Sequence, residues 1–585
     1  MTEGQNMETT NPYRVQFYDR VLAHAKEIRE SDSYTPNRLA VQNHQLVVAF
    51  SELESLIIDT FIDSSLTSGQ KKSKRTAFFE EYKPFVIIAF DEASVLVGPD
   101  DNKPFKSLCR ALRTLDSGSL FTLFLSTTGQ ISQISSPSEQ PDPSSRLLKR
   151  ALKPNPPFTF TDFDLFAKKE GGLTLTEVTR QGHMGHLGCA LYVFSSLTWH
   201  CCNLNSPSGR WATRIDAAAK DKGMSDRHRQ MIEDDMIAFA AAKLLNLPAL
   251  PDLSDYTLTE AQIFACLAQR LPLEFDSTNS PSSDMEKDQV ENHMRICLGV
   301  GSRPETLVTA SASEPILSEA AYAIMQHAAF KPEYALYAIL GGFPVHKGDH
   351  GEYLALLLFL QSRDAVVRSL NDDAMWEGMK LLRDGATGLP MEWKRAVPVV
   401  RWLGSLVRDL PQRLMEDIHR DFGMAELNFN HSIKAHEHKH VHRRDLVQLL
   451  SRSAGQLCVN SKEPIDAVLP ILFDERLSES AIGPLFAQFN NVRDLALKWD
   501  LFDKMDPFEL GVYDRDDEPY PLIRIVFAMA NSPSMETRHT VLMSPNGHGY
   551  AAYDIWCSGL SPQFLAPISP EKEDVWQSLL GASYA

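Results

Sequence analysis

The sequence predicts an α/β protein with a large α-helical middle part. Two strongly apolar runs of strand length, Phe85–Glu92 and Leu120–Ser126, lie one helix-length apart. Helical spacing of apolar residues then dominates from Met224 to Ser362. Short apolar runs mixed with helical pattern return in the final third, the mark of an α/β or α+β domain. A chain of 585 residues exceeds one hydrophobic core.

Composition bounds the function. Hydrophobic residues at 43% and charged residues at 23% are those of an ordinary globular protein. A net charge of −18 speaks against a wide basic surface and long-range attraction to DNA, while leaving room for a local basic groove. The eight cysteines are scattered, with no C-x-x-C pair, as expected of reduced thiols in an intracellular, cytoplasmic or nuclear protein. The N-terminus carries no secretory pattern. Leu354–Leu360, among the longest apolar runs, is far short of a membrane span, so no membrane partner is expected.

Taken in order, Pro12–Ile62 shows amphipathic helical periodicity, and Lys71–Arg75 reads as a solvated basic loop. Phe85–Glu92 is apolar enough for a strand covered on both faces. Phe105–Leu115 has the spacing of a crossover helix leading to the strand Leu120–Ser126. Helices are expected at Met231–Leu245, Leu258–Leu271, Ile316–Ala329, Gly351–Leu360 and Met375–Leu382, with Asp276–Asp284 a connector. Leu446–Arg452 reads as a helix, and Gln456–Val459, Ala467–Phe473, Leu485–Phe489 and Leu522–Ala530 as strands.

Four constellations carry candidate chemistry. Asp91 and Glu92 end an apolar strand, and Thr127 and Thr128 end the next. This is how a P-loop ATPase arranges its magnesium-holding aspartate, its water-polarising glutamate and its phosphate sensor. No segment satisfies G-x-x-x-x-G-K-[ST], so ATP is not expected to bind. In the last third, Asp466 before Ala467–Phe473 and Gln488 within Leu485–Asn490 follow a nuclease pattern, in which an aspartate and a (D/E/Q)-x-K tripeptide converge on a divalent metal such as Mg²⁺. Asn490 stands where that pattern has its lysine. His436-Glu437-His438-Lys439-His440 matches H-E-x-x-H, making His436 and His440 candidate zinc ligands, although the polar flank Val441–Asp445 suits a solvated His-rich segment. Gly182–Gly188 is glycine-dense without phosphate-loop order and reads as a turn.

Phe85–Glu92 with Leu120–Gly129, Ser313–Ala321 and Gly351–Ala355 resemble Crinkler-type and retrotransposon-hotspot-type proteins, which join a P-loop ATPase to a restriction-endonuclease-like domain in eukaryotic, including fungal, chains. Leu427–His431 and Ile465–Asn490 are similar to the entry and core of the nuclease part. The resemblance implies an N-terminal helical segment (1–80), an incomplete ATPase-like α/β core (81–215), a helical domain (216–410) and a nuclease-like α/β domain (411–585). It implies Asp91, Glu92, Thr128, Asp466 and Gln488 as positional counterparts of catalytic groups. The leading expectation is a catalytically impaired relative that acts by binding protein or nucleic acid. The alternatives are an active metal-dependent nuclease completed by a displaced lysine, with Lys498 the candidate, or a zinc hydrolase on His436, Glu437 and His440.

Overall fold

The computed structural model describes residues 86–90, 120–124, 172–188, 237–248, 256–276, 284–300, 307–327, 329–343, 349–383, 394–435, 441–458, 464–493 and 495–582, with single positions at 48, 108, 112, 164, 167, 253 and 345. The chain divides into two compact units, one formed by Met1–Pro157 with Arg303–Glu305 and the other by Phe158–Ser302 with Thr306–Ala585. Most of 1–80, the basic run 71–75, the loop 135–145 and the interior of the 276–284 connector lie outside the described residues.

In the first unit, β1 (Val86–Phe90) pairs in parallel with β2 (Leu120–Phe124), Ile88 opposite Thr122. Parallel neighbours require a crossover between them, and Leu108 and Leu112 of the expected crossover helix are helical. Phe90 and Phe124, directly opposite, stack their rings with centroids 5.2 Å apart.

The second unit contains a hairpin, β3 (Ile296–Val300) with β4 (Leu307–Ala310), and one nine-stranded mixed sheet. The sheet's strands are β5 (Val397–Pro398), β6 (Glu426–Leu427), β7 (His431–Lys434), β8 (Ala454–Leu457), β9 (Ala467–Leu472), β10 (Ile482–Asn490), β11 (Leu522–Ala528), β12 (Ser534–Met543) and β13 (Gly549–Ser558). Its order is β12-β13-β11-β10-β9-β6-β5. β8 also pairs with β9 and carries β7 on its other side.

β9 and β10 are antiparallel, and Pro470 faces Pro484 across them. Neither proline has an N–H to donate, so the two sit as a non-hydrogen-bonded pair. Outward from Pro470, β8 pairs with residues 467 and 468 and β6 with 471 and 472. The missing donor therefore falls in the gap between two short partner strands.

β12 and β13 were not expected from the sequence. β12 is an edge strand of alternating exposure and mostly polar composition, which gives no apolar run to read. The turn between them contains Asn546-Gly547, with Gly547 at φ +79°. That dipeptide was the legible hairpin signal.

The helices are α1 (Leu175–Val178), α2 (Gln181–Met184), α3 (Glu260–Arg270), α4 (Asp284–Asn292), α5 (Pro315–Met325), α6 (Pro332–Gly342), α7 (His350–Arg383), α8 (Val399–Leu406), α9 (Gln412–Phe422), α10 (Arg443–Ser451), α11 (Trp499–Asp503) and α12 (Glu573–Ala582). Thr259 opens α3 through a capping box with Gln262, and Pro315 and Pro332 open α5 and α6, where a missing N–H is harmless. The expected helices at 351–360 and 375–382 are one continuous α7 of 34 residues. Its stretch Leu354–Leu360 is at most 1% exposed at every position. A helix apolar all round has to be enclosed, here between the sheet and the other helices.

Strand alternation assigns the two sheet faces. Leu457, Leu469, Ile471, Leu485, Ala487, Ile523, Ile525 and Phe527 share one core with α3, α5, α7 and α8. Val468, Leu472, Phe486, Val526 and Trp556 form the other core with α10 and the segment 499–513.

A charged network is enclosed within this unit. Arg270 holds Asp364 through two bonds of 2.7 and 2.8 Å, and Arg363 holds Glu319 at 2.9 Å. Arg395 reaches Glu319 at 3.3 Å, and Asn430 donates to it at 2.8 Å. Burial alone would raise the Glu319 pKa. The charges of Arg363 and Arg395 and the Asn430 bond outweigh it and hold the carboxyl below its ordinary range. Removing one partner of such a buried set leaves the other charges uncompensated. Glu319→Ala is expected to cost about 3–5 kcal/mol of stability, read from the midpoint of urea unfolding. A loss below about 1 kcal/mol would show that the network does not hold these helices together.

Candidate functional site at the Asp466 edge of the sheet

Asp466 lies in the turn that opens β9. Its N–H donates to the Ala487 carbonyl at 2.9 Å, and its own carbonyl accepts from Cys458 N–H at 2.7 Å. The backbone thus continues the sheet on both sides, and the carboxylate is held in place at the strand's start. Its Oδ2 accepts from the Phe489 N–H at 2.6 Å. Gln488, one residue earlier on β10, has a buried Oε1 with no hydrogen-bond partner among the described residues.

The start of α7 supplies further acidic groups. Asp349 is fully buried just before the helix, and Glu352 lies in its first turn with a buried, unpartnered Oε2. Between them, Gly351 approaches the segment after β10 so closely that a Cβ there would come within 2.3 Å of Asn491 Nδ2. The helix start thus lies against the Asn491 side chain, just past the end of β10.

Lys434 ends β7 and arrives through the strand ladder: it pairs with Leu457, which pairs with Ala467, the neighbour of Asp466. Its ammonium bonds Glu274 at 3.0 Å and also bonds Asp349 Oδ2. Tyr353 donates to the same Asp349 oxygen at 3.2 Å. Burial would lower the Lys434 pKa, but the Asp349 bond and the charges of Asp349 and Glu274 outweigh it and hold the ammonium above its ordinary value.

Two carboxyls at this edge straddle neutral pH. Burial pushes Asp466 up to about 6, moderated by the Phe489 N–H. Glu352 is pushed up to about 8 by burial, then by the negative charges of Asp349 and Asp466, with Lys434 opposing. Asp466 gives up its proton first, so its charge falls on Glu352. Near pH 7 one carboxyl is ionised and the other protonated, the division of states that acid–base and metal sites use.

The donors here are of the type that a divalent hard cation takes. Asp466, Glu352 and Gln488 offer oxygens only, two of them orphaned, and Mg²⁺ needs no more than one or two carboxylates beside its waters and a phosphate. Among the described residues no three His, Cys, Asp or Glu side chains form a metal-holding group.

A second constellation has the outline of a nucleophile relay. Asn430 Nδ2 donates to Glu319 and to the Pro315 carbonyl, so Oδ1 accepts from His431 Nδ1–H at 2.7 Å. His431 Nε2 then accepts from Ser313 Oγ–H at 2.9 Å, and Arg452 Nε donates to that same Oγ at 3.1 Å. Burial, then the charges of Arg452 and Arg270, push His431 down to about 3. An imidazole that resists protonation this strongly is a poor proton acceptor in a reaction. The chain of bonds fastens α5 to β7.

Of the residues singled out from the sequence, Asp466 and Gln488 lie on adjoining strands at one edge. Asp91, Glu92, Thr127, Thr128, His436, Glu437, His438 and His440 lie outside the described residues. Asn490 turns its side chain to the main chain, its Oδ1 accepting from Val492 N–H at 2.9 Å. Lys498 is exposed and caps α11, while the lysine at this edge is Lys434, upstream of Asp466. Glu352, Asp349 and Lys434 carried no role in the sequence reading. Glu352 stands within Gly351–Ala355, a stretch quoted for its resemblance, and that was the available signal. Lys434 had none.

No family model matches the sequence, no curated protein matches it, and no solved structure matches the fold.

Both elevated carboxyls bind their protons more tightly in the folded than in the unfolded chain. Their stabilising effect is therefore complete below the ordinary carboxylate range and is lost as pH rises through about 6 for Asp466 and about 8 for Glu352. Glu352→Gln is expected to flatten the decline of stability between about pH 5 and pH 9. At the upper end the variant should exceed the wild type by on the order of a few kcal/mol. Urea titrations across that range check it, and parallel curves for the two proteins would contradict it.

Proposed function

We propose that the second unit is a divalent-cation-dependent phosphodiesterase, with its site at the Asp466 edge. Within that class, the reading is a restriction-endonuclease-like domain of the Crinkler type, acting on nucleic acid. The observation that carries it is the placing of Glu352, with an orphaned oxygen, within reach of the charges of Asp349, Asp466 and Lys434. The order of elements supports it as well. Helix α10 leads into β8, β9 and β10, successively antiparallel, and then through α11 to β11, parallel to β10. The parallel pair β1 and β2 supports an ATPase-like ancestry for the first unit, and we assign no ATP chemistry to it.

Asp466, Glu352 and Gln488 are the residues that would hold Mg²⁺ or Mn²⁺. Such a cation polarises a phosphoryl oxygen and lowers the pKa of bound water. Asp466 is fixed by the Phe489 N–H and ionised near pH 7, while Glu352 keeps its proton until a cation or higher pH removes it. One ammonium faces the two carboxylates of Asp349 and Glu274, so this cluster is net negative. Such an edge receives a cation before a phosphate.

Asn490 favours a second reading, a site that binds cation and nucleic acid without cutting, because it stands where the nuclease pattern has a lysine and its side chain serves a turn. Purified protein with Mn²⁺ and plasmid DNA separates the two. The first reading expects cleavage that Asp466→Asn abolishes, and the second expects none. Both expect Mn²⁺ at about 100 times its Kd to stabilise the wild type by about 2.7 kcal/mol, with the gain lost in Asp466→Asn. Absence of any Mn²⁺ effect on the wild type would end both.

A further inference from the structure

We infer that Lys434 supplies the phosphate-facing cation of this site, delivered from β7 rather than from the strand that carries Gln488. The inference rests on the phosphodiesterase reading above and adds to it a residue that nothing in the Asp466–Asn490 stretch provides. The geometry has three parts. The ladder from Lys434 through Leu457 to Ala467 sets the lysine two strands from the residue beside Asp466. Asp349 and Glu274 hold its ammonium from two sides, which fixes its position on a stem otherwise free to sample many rotamers. An ammonium has three N–H donors, and these two acceptors leave a third for an incoming oxygen.

The surroundings fit a working role. The Lys434 side chain is 10% exposed, so its charge acts in a partly dehydrated setting where it is worth more than on an open surface. Its field reaches Glu352, on which the Asp466 charge also acts. Glu352 follows Asp349 by one helical turn, so the helix that anchors the lysine also presents the carboxyl. Glu352, which the Lys434 charge reaches, keeps a buried acceptor oxygen without a partner among the described residues.

Lys434→Met tests this, together with the double variant Lys434→Met/Asp349→Asn, which removes both charges of the buried pair and leaves only the part-exposed Glu274 to lose its ammonium. Mn²⁺ affinity is measured by calorimetry, binding of a short DNA duplex in Ca²⁺ by anisotropy, and cleavage in Mn²⁺ on gels. The expected result is Mn²⁺ affinity kept or tightened, since a repelling charge is gone. Duplex affinity should be weakened about tenfold and cleavage about 100-fold or more, with Lys434→Arg recovering part of the duplex affinity. Variants that bind and cut the duplex as the wild type does would overturn the role of Lys434 and leave the site reading intact. A wild type that binds no Mn²⁺ overturns the site reading and this inference with it.

Discussion

The enclosure of Leu354–Leu360 on every side of one helix is the constraint on which the second unit depends. Each fully buried leucine or phenylalanine there contributes roughly 1.5–3 kcal/mol, and the stretch has no face that water can tolerate. It must lie between the sheet and the surrounding helices. Once it does, the turns that flank it on either side are placed as well. Asp349 and Glu352 reach the start of β9 and the end of β10, and Arg363 and Asp364 enter the enclosed charge network.

The two flanks of that stretch treat buried charge in opposite ways. Around Glu319 each carboxylate oxygen meets a guanidinium or an amide, so the desolvation cost is offset by short bonds. At the Asp466 edge the accounts do not close: Glu352 and Gln488 keep oxygens without partners, and burial raises two carboxyls far above their ordinary values. Around Glu319 the unpartnered atom among the described residues is one guanidinium nitrogen, Arg363 Nε, while at the Asp466 edge acceptor oxygens are left open. Such exceptions concentrate where a ligand completes the set.

The nucleophile-like chain of Ser313, His431 and Asn430 shows the limit of geometry alone. Its hydrogen bonds have the lengths and order of a catalytic relay. The charges of Arg452 and Arg270 and full burial keep the imidazole neutral, so the same arrangement works as a fastening. Electrostatics, more than distance, separates the two constellations.

Apolar periodicity and punctuation were legible in the residues themselves. The strands at Val86–Phe90, Leu120–Phe124, Ala467–Leu472 and Leu522–Ala528 and the helices from Glu260 to Met325 follow from local pattern, because burial of one face imposes a period on the chain. Asp466 and Gln488 were legible for the same reason, since each stands at a fixed offset from a readable strand. The hairpin of β12 and β13 was not, because an edge strand that is half in water has no apolar run to display. The lysine of the site belonged to tertiary structure alone. Lys434, Glu352 and Asp466 are separated by long stretches of sequence, and only strand pairing and the enclosed helix bring the charges of Lys434 and Asp466 within reach of Glu352. Local sequence sets what each segment buries, and the packing of segments against each other sets which charges meet.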